Sequence, residues 1–222
     1  MQPLDNPVWA ALTGPQAGLA DRHGRAARFH PDVSPFAALA DPSDREAWND
    51  LRTLLGPGTG ALVVGLVLDA PPSFDARPGV PGVQLVGHDY HGAPDPEARE
   101  LTAADLPEVL DLVARTRPGP FRERTVALGT YLGIRRGGAL VAMAGERMRL
   151  PGHTEISAVC TDDTHRGAGL ATRLVGAVAA GIRARGEVPF LHVAETNTGA
   201  IRLYERLGFV PRTRMAFAWA TG

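Results

Sequence analysis

Residues 155 to 175 hold the side chains and glycines with the clearest capacity for chemistry. Glu155 to Thr161 reads as a short strand, and a polar turn follows through His165 and Arg166. Gly167 and Gly169 bracket Ala168, after which Leu170, Leu174, Val175, Val178 and Ile182 recur at helical spacing. A strand, a glycine turn and a helix start in that order present unpaired backbone N–H groups and a positive dipole end, which suits a phosphate. On the glycines alone, an ordinary turn in which they merely relieve crowding is an equally good reading. A dinucleotide loop fits poorly, because its third glycine would fall at Thr172. A Walker-type loop requires a lysine, and the chain has none.

The elements that must position this run alternate clearly from Arg99 onward. Arg99–Leu101 reads as a strand and Thr102 as the N-cap of a helix through Val113, with Asp105 in its first turn. A Pro-containing loop spans Arg115–Glu123, and a short helix is predicted over Arg122–Leu128. Tyr131–Arg135 and Ala139–Leu150 pair as a hairpin across Arg136-Gly137-Gly138. After the glycine turn the long helix stops at Gly186, Phe190–Val193 is a strand, Asn197–Leu207 a helix, and Met215–Trp219 a closing strand. The order β-α-α-β-β-β-α-β-α-β predicts an α/β fold with a mixed central sheet flanked by helices.

The first ninety residues carry weaker signals. Val8–Leu12 reads as a short helix that continues over Pro15–Ala20. Ala26–His30 reads as a strand, and Phe36–Leu39 as a loop punctuated by Pro31, Pro35 and Pro42. Asp44–Leu55 is a helix with Ala47, Trp48, Leu51, Leu54 and Leu55 on one face. Ala61–Leu68 is a buried strand, 71–81 a loop, and Val83–Val86 another strand. The polar, Gly/Pro/Asp-rich stretch His88–Pro96 is the expected boundary between a smaller α/β region, 1–95, and a second domain, 96–222.

Composition limits the function classes. The 222 residues suffice for a substantial core. A formal net charge of −1 argues against nucleic acid or an anionic membrane as partner. No stretch is long and apolar enough to span a bilayer, and the N-terminus lacks the pattern of a signal peptide, so a cytoplasmic location is expected. The single cysteine, Cys160, excludes an internal disulfide and a thiolate metal cluster, and no metal is expected.

A second motif lies beyond the glycine turn. Asn197, Ala200, Leu203, Tyr204, Gly208 and Phe209 fit Asn-x-x-Ala-x-x-Leu-Tyr-x-x-x-Gly-Phe throughout. Thr164 to Gly169 fits Gln/Arg-x-x-Gly-x-Gly/Ala except at Thr164. With both motifs in order, residues from about 98 to the C-terminus resemble a GNAT-type N-acetyltransferase. The resemblance implies acetyl-CoA as co-substrate and a primary amine, small molecule or peptide, as acceptor, with direct attack in a ternary complex. It implies that backbone N–H groups of Arg166, Gly167, Ala168, Gly169, Leu170 and Ala171 cradle the pyrophosphate. The amide-rich pantetheine would then pair with Val159, Cys160 and Thr161, admitted between splayed strands at Glu155–Thr161 and Phe190–Val193.

Tyr204 is implied as general acid to the departing thiolate. Asn197 is expected to cap its helix and touch cofactor or ordered water. Glu155 is the first candidate for the base, ahead of Glu146, His153 and His192. Cys160 reads as inert packing in an apolar strand rather than as a nucleophile. The N-terminal region suits a degenerate half-copy of the fold, without a second active site, that walls the acceptor pocket or forms a homodimer contact. The rival readings are a non-catalytic acyl-CoA-binding module and transfer from another acyl-CoA. The thioester chemistry separates them.

Overall fold

The computed structural model describes residues 2–222. In chain order its elements are α1 (Pro7–Leu12), β1 (Ala20–His23), β2 (Ala26–Phe29), β3 (Phe36–Leu39), α2 (Arg45–Leu55), β4 (Gly60–Gly65), β5 (Asp75–Pro78) and β6 (Gly82–Val86). They continue with β7 (Arg99–Glu100), α3 (Leu106–Thr116), β8 (Tyr131–Arg136), β9 (Ala139–Leu150), β10 (His153–Thr161), α4 (Leu170–Ala184), β11 (Val188–Ala194), α5 (Thr198–Arg206) and β12 (Val210–Thr221). The strands join in the order β1-β2-β3-β4-β12-β6-β11-β10-β9-β8-β7, with β5 paired to β12. The class is α/β with a mixed sheet, as the element order predicts.

The long strand β12 links the two parts of this sheet. Its first half, Val210–Met215, pairs with β6, and its second half, Ala216–Thr221, pairs with β4. β6 in turn pairs with β11, Phe190 opposite Val86 and Ala194 opposite Gly82. A strand from before the expected boundary at residue 95 therefore lies inside the C-terminal sheet. The stretch around that boundary is clamped to α4. Asp95 takes two hydrogen bonds from Arg173, at 2.6 and 2.8 Å, and Ala93 N–H donates to the Gly176 carbonyl at 3.2 Å. Gly92 fits only as glycine, since a Cβ there would stand 2.1 Å from that carbonyl.

Several local expectations change. Phe36–Leu39 is strand β3, buried at all four residues, because the surrounding prolines fall outside it and β2 and β4 cover both edges. The helix expected to continue over Pro15–Ala20 is a 3-10 turn at Ala17–Leu19, and Ala20 opens β1 against β2. The strand expected to reach Leu68 stops at Gly65, and the loop expected over 71–81 contains the edge strand β5. The short helix over Arg122–Leu128 is a 3-10 turn, Thr125–Leu128. The hairpin between β8 and β9 closes on Gly137 and Gly138, both at positive φ (57° and 87°), the geometry a two-residue hairpin turn demands.

α4 covers one face of the sheet. Leu170, Leu174, Val175, Val178, Ala179 and Ile182 pack with Leu85, Ile134, Ile156 and Leu191 into one apolar cluster. That contact fixes the N-terminus of α4 at the carboxyl end of β10, where ligands bind in open α/β sheets.

Candidate active site

β10 and β11 form a parallel pair for only three residues, His153–Glu155 against Val188–Phe190. Beyond Glu155 they part. The edges of β10 from Ile156 and of β11 from Leu191 flank a cleft of about 900 Å³. Ser157 pairs with Gly145 of β9 and Cys160 with Met143, so one extra residue is accommodated between them. Ala158 absorbs it with φ at 53°, in the left-handed region, a conformation that costs a non-glycine residue about 1–3 kcal/mol. The bulge and the splay leave strand-edge backbone facing the cleft, available to an extended amide-bearing chain.

The glycine turn closes one end of the cleft. Asp162 caps the 3-10 turn Asp163–His165, accepting from Thr164 N–H at 3.0 Å and from the Thr164 hydroxyl at 2.5 Å. Thr164, the one departure from the motif, thus serves the turn itself. Arg115 of α3 pairs with Asp162 and ties the turn to that helix. Gly167 and Gly169 have φ of 79° and 72°, and a Cβ at either would meet nothing within 4 Å. Their need for glycine is conformational, and the space above them is open. From Gly167 to Thr172 the backbone N–H groups find no acceptor among the described residues. The ladder resumes with Arg173, onto the Gly169 carbonyl at 3.1 Å. Arg166 pairs with Asp163 at 2.6 Å on the surface, with both side chains more than half exposed. Such a pair is easily exchanged for a bound anion. Ala168 is exposed and is the one residue from His165 to Thr172 outside the cleft wall. The residues present therefore fit a pyrophosphate. Gly167→Val, forced out of its positive φ, is expected to abolish acetyl-CoA binding by calorimetry while circular dichroism stays native.

Tyr204 stands in the cleft wall, its ring edge-on to Phe209 at 6.0 Å. Burial pushes its phenol up to about 12, and no charge or hydrogen bond from another described residue offsets it. It is a protonated O–H opening onto the cleft. Asn197 caps α5, accepting from Ala200 N–H at 3.1 Å, and also lines the cleft. Gly208, at φ 98°, ends α5 and turns Phe209 into the core. Val159, Cys160 and Thr161 line the cleft, and burial pushes the Cys160 thiol up, away from thiolate chemistry.

Glu155 is placed differently. It is fully buried, outside the cleft wall, with its carboxylate gripped by Arg147 through Nε at 2.8 Å and Nη2 at 2.6 Å. Burial alone would raise its pKa. The Arg147 charge and hydrogen bonds, with that of His192, outweigh burial and hold it at about 2. A carboxylate so weakly basic and so enclosed does not take a proton from an amine. Its function as base is set aside for one of orientation. His192 Nδ1 lies 2.7 Å from Glu155 Oε1, and its Nε2 lies 3.1 Å from the Gln84 amide nitrogen. That amide also donates to the Leu4 carbonyl, and its oxygen accepts from Arg212, so His192 Nε2 accepts and Nδ1 carries the proton. Glu146 pairs with Arg185 at 2.8 Å and His153 contacts Phe190; neither lines the cleft.

Comparison with known proteins accords with this geometry. The family model described as FR47-like protein matches residues 131–218. No curated protein matches the chain. Among solved structures, one from Novosphingobium aromaticivorans, described as belonging to the GNAT family, is 40% identical with a TM-score of 0.90, covering 100% of this chain and 99% of that one. This chain belongs to the GNAT family. A GCN5-related N-acetyltransferase from Kribbella flavida shares the fold at 20% identity and a TM-score of 0.66, covering 97% and 95% of the two chains. A GCN5-related N-acetyltransferase-like protein from Streptococcus suis does so at 18% and 0.55, covering 96% and 92%.

In this GNAT protein the structure also places Arg117, Arg147 and His165 in the cleft wall, residues that motif reading did not find. Their signal was weak. Arg147 is one of three charged residues, with Glu146 and Arg149, near the end of β9, and Glu155 is the one carboxylate of β10, in segments whose alternate residues are buried and where an unpaired charge would be prohibitive. That pattern predicts a buried pair without saying which residues meet. Among the described residues, no helix is long and apolar enough to cross a membrane.

Proposed function

We propose that the chain transfers acetyl from acetyl-CoA to a primary amine by direct attack in a ternary complex. The observation that carries this reading is the row of unpartnered N–H groups from Gly167 to Thr172 at the end of a cleft flanked by splayed strands. Acetyl-CoA supplies the activated thioester carbonyl. The turn binds the pyrophosphate through backbone donors and the α4 dipole, without a lysine. The edge of β10 at Val159–Thr161 orients the pantetheine, directing the thioester from the turn toward Glu155, where the strands part. As the amine nitrogen bonds to the carbonyl carbon and the C–S bond breaks, the Tyr204 hydroxyl donates its proton or a hydrogen bond to the leaving sulfur.

The cleft wall holds no carboxylate, and both nitrogens of His192 are engaged. His165, the other histidine of the wall, lies at the glycine-turn end beside Thr164, so the amine is bound as its neutral form or loses its proton to water. Residues 96–222 together with strand β6 would form the transferase unit, since β6 lies between β11 and β12. The region before β6 would support its acceptor side, since Phe36 lies 4.8 Å beneath the Arg147 guanidinium and Gln16 holds the Arg147 carbonyl at 2.8 Å. The test follows free thiol release from acetyl-CoA across an amine panel. Release that depends on an amine is expected; tight acetyl-CoA binding with no release from any amine would leave only a binding module.

A further inference from the structure

Arg147 has a donor to spare where the acceptor must enter. Its Nε and Nη2 are spent on Glu155, but Nη1 has no partner among the described residues, and the side chain, about one-tenth exposed, lines the cleft. The guanidinium is held rigidly, by Glu155 at its edge and Phe36 beneath its face. An irregularity in the β9–β10 register, from Thr154 opposite Arg149 to Ile156 opposite Glu146, places one extra residue on β9 at Arg147–Met148, a device that re-aims a side chain. Glu155 is the last residue of β10 paired with β11, so Arg147 sits at the apex of the splay. The glycine turn lies at the opposite end of β10, beyond Thr161. Arg166 and His165 belong to that end and Arg147 to the other.

Resting on the acetyl-transfer reading above, we infer that the acceptor is an amine that also carries a carboxylate, such as an α-amino acid, and that Arg147 Nη1 binds that carboxylate. The cleft wall contains three arginines, at 117, 147 and 166, and neither aspartate nor glutamate. Arg117 stands at the C-terminal end of α3 and lines the same wall. With Arg147 balanced by Glu155 and Arg166 by Asp163, the wall keeps the charge of Arg117 and presents no carboxylate to a cation, which disfavours polyamines and lysine-rich peptides. A pre-positioned guanidinium is also the preferred partner of a carboxylate.

The experiment compares matched acceptors with the wild-type chain: proteinogenic amino acids, their amides and their decarboxylated amines, with spermidine and a lysine peptide. Acetyl-CoA thiol release is the readout. The carboxylate-bearing member is expected to have about 10- to 100-fold higher kcat/KM, the worth of one charge-assisted hydrogen bond. Arg147→Lys, which keeps the charge beside Glu155 and loses the free Nη1, is expected to raise the acceptor KM and erase most of that preference while the KM for acetyl-CoA stays the same. Turnover of spermidine, lysine peptide or decarboxylated amines as well as the amino acids overturns the inference and leaves acetyl transfer standing. A preference that survives Arg147→Lys removes Arg147 from it. Thiol release with none of the amines overturns acetyl transfer, and this inference with it. Should the variant fail to fold, the wild-type matched pairs decide.

Discussion

Tyr204→Phe is expected to lower kcat by about 10²-fold while the KM for acetyl-CoA barely moves. The substitution removes one oxygen from a buried ring whose packing on Phe209 is otherwise kept, so fold and cofactor cradle should persist. The loss falls on kcat because the thiolate, whose parent thiol titrates near ~8.5 in free form, exists only as the C–S bond breaks. A phenol at about 12 gives up its proton reluctantly. Much of its effect is therefore a hydrogen bond to developing negative charge, which places the expected loss at the lower end for general acids. The sign with pH follows. Because burial raises the phenol above its ordinary 10.0, Tyr204 stays protonated through that value, and kcat should show no alkaline limb there. A kcat that survives Tyr204→Phe would remove Tyr204 as the acid, whereas a limb centred on 10 that disappears in Tyr204→Phe would show that burial does not raise its phenol.

Glu155→Ala is expected to cost about 3–5 kcal/mol of unfolding free energy, the range for breaking a buried pair on one side. It would strand Arg147 and leave His192 Nδ1 without its acceptor. Urea unfolding measures this directly, and a loss below about 1 kcal/mol would mean that the pair is solvated or replaceable. The acid dependence carries the same sign. The folded-state pKa of Glu155 lies below its ordinary 4.5, at about 2, so the stabilisation is complete above 4.5 and is lost as pH falls toward 2. Wild-type stability should drop across that window, and the drop attributable to this group should vanish in Glu155→Ala. In activity, the variant should raise the acceptor KM through a loosened Arg147 and should not abolish turnover, as loss of an essential base would.

These outcomes rest on features that were legible to different degrees. β10, the glycine turn and α4 follow from local pattern, because apolar period, capping and positive-φ glycines act over a few residues. So does the role of Asn197 as N-cap and of Gly208 as helix stop. Phe36–Leu39 was illegible as a strand because its neighbours in the sheet, β2 and β4, come from either side in sequence and override the prolines around it. Thr164 departs from the motif, and only the turn geometry gives it a purpose, as a partner of Asp162.

By itself the sequence determined the α/β order of elements, the glycine turn at Gly167–Gly169 ahead of a helix and the capped helix that carries Tyr204, since each is written in residues close along the chain; the phosphate-binding and acid roles proposed for them come from the family resemblance. The tertiary structure decided which charges meet. Glu155, Arg147 and His192 lie on three different strands, and their pairing depends on a bulge and on the register of β9, β10 and β11. Desolvation then fixes their chemistry: the same carboxylate that on an exposed edge would be a base becomes, when enclosed with a guanidinium, a permanent anion that holds Arg147 at the apex of the cleft.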